Sequence, residues 1–291
     1  MRNNTYFLKK KSLYFVLLGM FLLWQNTAHA AQSYRFGVTN VETVMTTAAQ
    51  WNPVLAWIEK RTGIALTLQM GMSAEETQAR LMRGEYDFFL GYPFLQDGPR
   101  QQLGFHVLLK AKDVINSSAI VVQDRTSIRT LADLNGQELW IPHENAFIAH
   151  TVPMAVLLEK GIRVRLQSVA NQESLVTAFK LGKVQAAALN MGMFKRAMAN
   201  KEDSYRILWH SPSLPSLPIG VQQSVPLGVA ERVQAAFVDM VNDAEGKQIL
   251  QSLNLRMGLK LAGWELATDA EYQFAIDSYQ KVAQDKIERH D

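Results

Sequence analysis

The sequence predicts an α/β fold made of two similar halves, each an open sheet flanked by helices. Short apolar runs, typical of buried strands, alternate with longer segments whose apolar residues recur at helical spacing. The order strand–helix–strand–helix–strand begins at about residue 34 and begins again after about residue 118. With 291 residues and 48% apolar content, the chain is long enough for one large domain or two of ordinary size.

The first thirty residues have the three parts of a secretory signal peptide. Arg2 and residues 9–11 are basic, residues 13–24 are apolar with a single glycine, and alanines stand at positions 28 and 30 as in an A-x-A cleavage site. A transmembrane anchor is disfavoured because this apolar stretch is much shorter than the about 20 residues that cross a bilayer. The sequence therefore predicts a signal peptide over residues 1–30, cleaved after Ala30.

Charge and cysteine content restrict the partners and the compartment. The signal carries four of the 30 basic residues and none of the 27 acidic ones, so the remaining chain has a net charge of −1 and no footprint for nucleic acid. The absence of cysteine excludes disulfides, thiolate metal sites, a cysteine nucleophile and a lipid-modified N-terminal cysteine. An exported protein without a lipid tether is retained between two membranes, which favours the periplasm.

In the first half, strands are predicted over residues 34–38, 65–70 and 86–90. A helix over residues 46–60 has apolar residues near helical spacing and a glycine, Gly63, just past its end. Ser73, followed three residues later by Glu76, forms a capping box. This motif predicts a second helix that runs to Arg83.

The rest of the chain continues the alternation. The predicted strands are 105–110, 118–123, 139–142, 163–168, 184–189, 207–209 and 219–221, and the predicted helices are 130–134, 151–160, 173–181, 230–242, 244–253 and 270–288, with another beginning near Met193. The segment 211–218 contains three prolines, which restrict themselves and the residues before them, so we expect no regular element there. Thr268 is expected to cap the last helix.

Polar side chains follow the predicted strands, where open α/β sheets bind their ligands. The candidate ligand-binding residues at these ends are Thr39, Asn40, Tyr92, His143, Asn145 and Asn190. No metal site is expected, because His143 and His150 lack a third ligand at suitable spacing. No cofactor is expected either.

Five segments, in order along the chain, are similar to a known family: 36–38, 51–59, 81–91 with its Gly-x-x-Asp spacing, 128–136 and 209–215. In this order, within residues 36–279, the chain resembles the substrate-binding proteins of phosphate, phosphite and phosphonate ABC transporters. The resemblance implies a type II periplasmic binding protein that is monomeric. It also implies that the protein binds a small-molecule ligand, expected to be an anion, and docks on an ABC permease in the inner membrane.

The resemblance also implies a division of the chain into two lobes. Two hinge strands are expected near residues 116–118 and 212–218. Lobe 1 is then discontinuous, 31–116 plus 217–291, and lobe 2 is 117–216. Ser117 and Ser118, at the first crossing, complete the candidate ligand-binding residues.

Three positions depart from the family pattern. The loop 142–148 contains none of the Ser, Thr or Gly residues with which relatives hold an anion at a helix N-terminus. His143 and Asn145 are the possible donors in it, whereas an inward-facing Glu144 would repel an anion. Tyr92 can supply a hydroxyl and a ring. Asn190 stands where relatives that bind an aminophosphonate have an acidic residue, which disfavours a ligand with an ammonium group.

The sequence shows no catalytic motif and predicts that the protein is not an enzyme. It has no G-x-S-x-G elbow, H-E-x-x-H pair, phosphate-binding P-loop or G-x-G-x-x-G turn. Two functions remain open. The first is a transport receptor that captures a phosphonate- or phosphite-like oxyanion and delivers it to an ABC transporter, and the second is a ligand sensor of the same fold that signals to a membrane histidine kinase.

Overall fold

The computed structural model describes residues 33–199, 204–257 and 260–288. The expected signal peptide and its cleavage point lie outside these described residues. None of the described helices is both long and apolar enough to cross a membrane.

The described strands form two mixed sheets and a short two-stranded ladder. They are β1 (Ser33–Val38), β2 (Ala65–Gln69), β3 (Phe88–Leu90), β4 (His106–Ala111), β5 (Ile115–Asn116), β6 (Ser118–Gln123), β7 (Glu138–Ile141), β8 (Arg165–Ser168), β9 (Ala186–Asn190), β10 (Tyr205–His210), β11 (Leu214–Pro215), β12 (Pro218–Val221) and β13 (Trp264–Leu266).

Helices cover the faces of both sheets. They are α1 (Val44–Thr62), α2 (Ala74–Met82), α3 (Val152–Glu159), α4 (Gln172–Lys180), α5 (Met191–Ala197), α6 (Leu227–Asp239), α7 (Ala244–Met257) and α8 (Gln273–Glu288). A 3₁₀ turn, Tyr92–Leu95, follows β3, and a π-helical turn, Phe147–Thr151, leads directly into α3.

The first sheet has the strand order β13-β4-β12-β3-β1-β2. Strand β1 runs parallel to β2 and β3, whereas β12 returns antiparallel between β3 and β4. Because β1 and β3 are parallel neighbours, the chain leaves both strands at the same edge of the sheet, next to Thr39 and Tyr92.

The second sheet has the order β10-β6-β9-β7-β8. Strands β7, β8 and β9 are parallel, and β6 pairs antiparallel with β9 and β10. Between the two sheets, β5 and β11 pair antiparallel, with Leu214 opposite Asn116. The chain therefore passes from one sheet to the other along this short ladder.

The predicted helix boundaries follow from their capping residues. The hydroxyl of Ser73 accepts a hydrogen bond from the Glu76 N–H at 3.2 Å, which confirms the predicted cap of α2. Gly63 ends α1 with a φ of 69°, a conformation that costs a glycine little, and this end is also confirmed. At the last helix, Thr268 forms the expected cap with Glu271.

The proline segment differs from the sequence expectation. Pro215 belongs to β11 and Pro218 is the first residue of β12, so the expectation of no regular element in 211–218 was wrong. Proline is tolerated at the first position of a strand, where its missing N–H is not needed. The carbonyl of Pro218 still accepts a hydrogen bond from the Gly91 N–H at 2.9 Å.

An aromatic core connects elements that flank both sheets. Phe147 of the π-helical turn is 4% exposed and lies with its ring centre 4.3 Å from that of Tyr92 and 5.1 Å from that of Tyr279 in α8. Helix α8 also contacts segments next to each sheet. Its Gln280 donates a hydrogen bond to Asp97, which follows the 3₁₀ turn after β3, and its Lys281 pairs with Glu159 of α3 at 3.4 Å. The carboxyl-terminal helix therefore packs against segments that belong to different sheets.

Candidate functional site

A cavity of about 270 Å³ lies between the strand ends of the two sheets. Its walls come from the loop after β1, helix α1, the 3₁₀ turn after β3, the loop before the π-helical turn and the first turns of α4 and α5. Pockets for drug-sized ligands begin at about 300 Å³, so this cavity suits a small solute.

Six of the eight residues predicted from the sequence line this cavity. They are Thr39, Asn40, Tyr92, His143, Asn145 and Asn190. Ser117 and Ser118 are not among the lining residues. The carbonyl of Ser117 instead accepts a hydrogen bond from the Met191 N–H, and the buried Ser118 donates its N–H to the hydroxyl of Ser211 at 3.0 Å.

Gly91 sets the direction of the chain between β3 and Tyr92. Its φ is 142°, and a Cβ atom at this position would lie 2.9 Å from the Cβ of Thr39. Only glycine allows both the conformation and the close approach. The ring of Tyr92 is thereby directed to the wall of the cavity.

The hydroxyl of Tyr92 is fully used inside the protein. It donates to the carbonyl of Pro215 and accepts from the side-chain amide of Asn116 at 3.3 Å. Burial raises the pKa of Tyr92, so the hydroxyl stays protonated. The ring of Tyr92 therefore faces the cavity, whereas its hydroxyl secures the β5–β11 ladder.

Asn190 extends this network to the second sheet. Its amide nitrogen donates to the Asn116 carbonyl oxygen at 3.2 Å, and its own side-chain oxygen accepts from the Met193 N–H at 3.0 Å, which caps α5. The Asn190 N–H donates to Gln172 at 3.2 Å. Asn190 thus holds the start of α5 and fixes the orientation of Gln172.

Asn40 and Gln172 each keep one polar atom without a partner. Asn40 donates to the carbonyl of Gly71 at 3.1 Å, which leaves its buried Oδ1 without a hydrogen bond among the described residues. Gln172 accepts from Asn190, which likewise leaves its buried Nε2 unpaired. Because backbone groups fix both amide orientations, Asn40 offers an acceptor and Gln172 offers a donor.

His143 lies close to elements of the first sheet. Burial lowers the pKa of its imidazole, an effect opposed by the Glu75 carboxylate and by a hydrogen bond to the Asn40 backbone. The lowered pKa makes the neutral form predominate at pH 7. Within the described part of the chain, the Nδ1 of His143 is buried without a hydrogen bond.

The loop before α3 is shaped by its own backbone and by His150. The carbonyl of Glu144 accepts a hydrogen bond from the buried His150 ring at 2.6 Å, and the Glu144 side chain is exposed. Asn145 lines the cavity but does not cap the helix, because Ala146 is the N-cap residue and no side chain bonds there. The first N–H groups of a helix have no partner within it, so this end can donate to a ligand.

Charged side chains of both signs stand at the cavity. Glu42 accepts a hydrogen bond from the amide of Gln50 at 2.6 Å. Arg196, on α5, is exposed and has no ion pair with any carboxylate of the described residues. A guanidinium without an ion pair at the cavity can bind the negative charge of a ligand.

Among the lining residues that sequence reasoning missed, three have polar side-chain groups that could donate to a ligand. Gln172 stands at the start of α4, four residues after β8, so the strand-end rule applied to β8 would have found it. Arg196 lies six residues after Asn190 on a helix that was predicted only by its start. Trp264, whose buried Nε1 has no partner among the described residues, belongs to a three-residue strand without a sequence signal.

Solved structures share this fold. A Xanthomonas citri protein bound to ATP has a TM-score of 0.72 at 17% identity, over 87% of this chain and 98% of its own. PhnD1 from Prochlorococcus marinus in complex with methylphosphonate has a TM-score of 0.71 at 13% identity, over 87% and 99%. A binding protein component of an ABC phosphonate transporter from Pseudomonas aeruginosa has 0.66 at 14%, over 83% of each chain. These likenesses confirm the predicted two-lobed, type II periplasmic binding protein fold.

Sequence comparison identifies the family. No curated protein sequence matches the chain significantly. A family model described as the periplasmic substrate-binding protein of phosphonate ABC transporters matches residues 36–272, which is most of the chain and includes every cavity residue named above. The resemblance drawn from the sequence is confirmed, and the chain belongs to the phosphonate-binding family of periplasmic substrate-binding proteins of ABC transporters.

Proposed function

We propose that the protein captures a small phosphonate- or phosphite-like oxyanion in the cavity between its sheets and delivers it to an ABC permease. The observation that carries the proposal is the cavity itself, since both sheets supply its walls and Arg196 brings to it a guanidinium that has no ion pair among the described residues. Gln172 and Trp264 add buried donors without partners. Buried polar groups without partners are costly, so a ligand that bonds them gains affinity.

The proposed moving parts are the two lobes of the sequence analysis, 31–116 plus 217–291 and 117–216. The β5–β11 ladder supports this division, because it lies where the chain passes between the two sheets. A ligand that contacts both lobes only in the closed form shifts the population towards that form. The permease then receives a closed, loaded protein, for which we propose a monomer in the periplasm, released from its signal after Ala30.

The first experiment is a ligand screen on the mature protein. Thermal unfolding is followed with phosphite, phosphate, methylphosphonate, ATP, amino acids and short organic acids, because a ligand of the native state raises Tm by mass action. We expect phosphonates or phosphite to raise Tm and amino acids to leave it unchanged. A rise with amino acids alone would overturn the oxyanion proposal.

A substitution of Arg196, with a matched control at its neighbour, tests the same proposal at a single residue. Hydrogen bonds to charged groups contribute about 1.5–3 kcal/mol, and the exposure of Arg196 favours the lower end, so Arg196→Gln is expected to weaken methylphosphonate binding about tenfold. The control is Lys195→Gln, which removes the same charge from an exposed neighbour that does not line the cavity. Calorimetry measures the affinity of both variants for methylphosphonate. Equal losses of affinity in both would show that Arg196 acts only through the overall charge of this region and not through contact with the ligand.

A further inference from the structure

A chain of hydrogen bonds beside the cavity runs from the second sheet to the first. The Met193 N–H donates to the side-chain oxygen of Asn190 at 3.0 Å, and the amide nitrogen of Asn190 donates to the side-chain oxygen of Asn116 at 3.2 Å. The amide nitrogen of Asn116 donates to the Tyr92 hydroxyl at 3.3 Å, and this hydroxyl donates to the carbonyl of Pro215. Asn116 therefore joins Tyr92, which follows β3, to Asn190, at the end of β9.

The two ends of this chain fix its direction. The backbone N–H of Met193 can only donate a hydrogen bond, and the carbonyl of Pro215 can only accept one. The single proton of the Tyr92 hydroxyl is used by Pro215, so Asn116 must turn its amide nitrogen to Tyr92 and its oxygen to Asn190. An asparagine fits this place because it has a donor and an acceptor at the end of one side chain.

The bond between Asn116 and Asn190 lies where the chain leaves the β5–β11 ladder. Asn116 pairs with Leu214 in that ladder, whereas Asn190 pairs with Ser118 of β6 in the second sheet. Only Ser117 separates β5 from β6. A backbone rotation at this point moves Asn116 relative to Asn190, and their hydrogen bond is lost when the two atoms are about 3.6 Å apart.

The arrangement in which this bond forms also brings the two walls of the cavity together. Phe147, in the turn that leads into α3, lies with its ring centre 4.3 Å from that of Tyr92. His143, in the loop before that turn, bonds to the Asn40 backbone next to β1. A rotation that opens the cavity separates these pairs and breaks the bond between Asn116 and Asn190 with them.

We propose that the hydrogen bond between Asn116 and Asn190 is a latch that favours the closed arrangement of the two lobes, with Asn116 as its positioning residue. This inference rests on the lobe movement of the proposed function and adds the side chains that set the closed fraction. One hydrogen bond between neutral groups shifts an equilibrium about fivefold. Apparent affinity falls with the fraction of protein that is competent to bind, so the latch strengthens binding without contact with the ligand.

Asn190→Ser removes the latch and keeps the start of α5. Serine caps a helix as well as asparagine does, so its hydroxyl can accept from the Met193 N–H, but it is too short to reach Asn116. The backbone N–H at position 190 remains and still donates to Gln172. Asn171→Ser is the matched control, because Asn171 caps α4 in the same way, at 2.9 Å, and does not line the cavity.

Small-angle X-ray scattering of the ligand-free mature proteins tests the latch without any ligand. We expect a larger radius of gyration for Asn190→Ser than for the unmodified protein, and an unchanged radius for Asn171→Ser. Equal radii in all three proteins would overturn the latch, whichever ligand binds. The oxyanion proposal fails by a different result, namely that neither methylphosphonate nor phosphite binds to the unmodified protein.

Asn116 and Asn190 also line the cavity, so a double-mutant cycle separates the latch from direct contact with the ligand. Calorimetry measures the methylphosphonate affinity of Asn190→Ser, Asn116→Ala and the double variant. We expect each single variant to bind about two- to fivefold more weakly. The double variant should bind no more weakly than Asn116→Ala alone, because both substitutions remove the same bond. Losses that multiply in the double variant would show that the two side chains act separately, and would overturn the latch.

Discussion

At the scale of single residues, the burial of His143 makes the stability of the protein depend on pH. Its ring is directed to the first sheet through the Asn40 backbone and faces the Glu75 carboxylate, yet burial dominates and lowers its pKa. Below an unfolded pKa of about 6.5, the unfolded chain binds a proton at this position that the folded protein resists. The contribution of His143 to stability is therefore complete above about pH 6.5 and is lost as the pH falls towards its lowered folded pKa.

The prediction concerns how much Tm falls between two pH values in each variant compared with the unmodified protein. His143→Gln cannot take up this proton, so its Tm should fall less than that of the unmodified protein between pH 7.5 and pH 5.5. His106→Gln, at an exposed histidine outside the cavity, should follow the unmodified protein. Thermal unfolding of the three proteins at both pH values checks this, and parallel curves for all three would contradict the burial of His143.

At this scale the sequence predicted lining residues where the strand topology alone determines their position. The rule that ligands lie beyond strand carboxyl ends found Thr39 and Tyr92, because the parallel neighbours β1 and β3 bring them to one edge of the first sheet. It also found Asn190, at the end of β9 in the second sheet. It did not predict that the Tyr92 hydroxyl is engaged by Pro215, which is 123 positions away in sequence. Such a contact depends on how the two sheets are arranged, and no local pattern encodes that arrangement.

At the scale of elements, the Phe147 turn joins parts of the fold that local patterns treat as separate. The sequence predicted a helix from residue 151, whereas the helical segment begins at Phe147 with a π-helical turn. The Phe147 ring packs between Tyr92 and Tyr279, and this packing accounts for the earlier start. The wider helical spacing of a π turn is set by tertiary contacts, which amphipathic periodicity does not report.

Truncating this ring should destabilise the protein strongly. Phe147 is 4% exposed, and a buried Phe→Ala change costs about 3–5 kcal/mol through lost transfer energy and the cavity left behind. For a protein of this size, Phe147→Ala should lower Tm by roughly 6–20 °C. Phe274→Ala on α8 is the matched control, because Phe274 is 46% exposed and should change Tm little. Similar shifts for both variants in calorimetric unfolding would mean that Phe147 does not connect the segments.

At the scale of the whole molecule, the alternation of strands and helices was sufficient to predict two open sheets. The order of the strands within those sheets was harder to predict from the sequence, because β12 and β13 return to the first sheet after the second is complete. The return strand β12 begins at a proline and lies between β3 and β4, a place that its own composition disfavours. Long-range pairing of this kind was supplied by the family resemblance and not by the local pattern.

The proposed lobes lead to a prediction about the size of the protein in solution. If residues 31–116 plus 217–291 and residues 117–216 rotate about the β5–β11 ladder, a ligand bound to both walls of the cavity must favour the compact arrangement. Saturating methylphosphonate should therefore reduce the radius of gyration measured by small-angle X-ray scattering. In Arg196→Gln the ligand-free radius should be unchanged, and a higher ligand concentration should be needed for the same reduction. Binding that calorimetry detects without any change in radius would show that the cavity fills without closure, and the two lobes would then act as one rigid body.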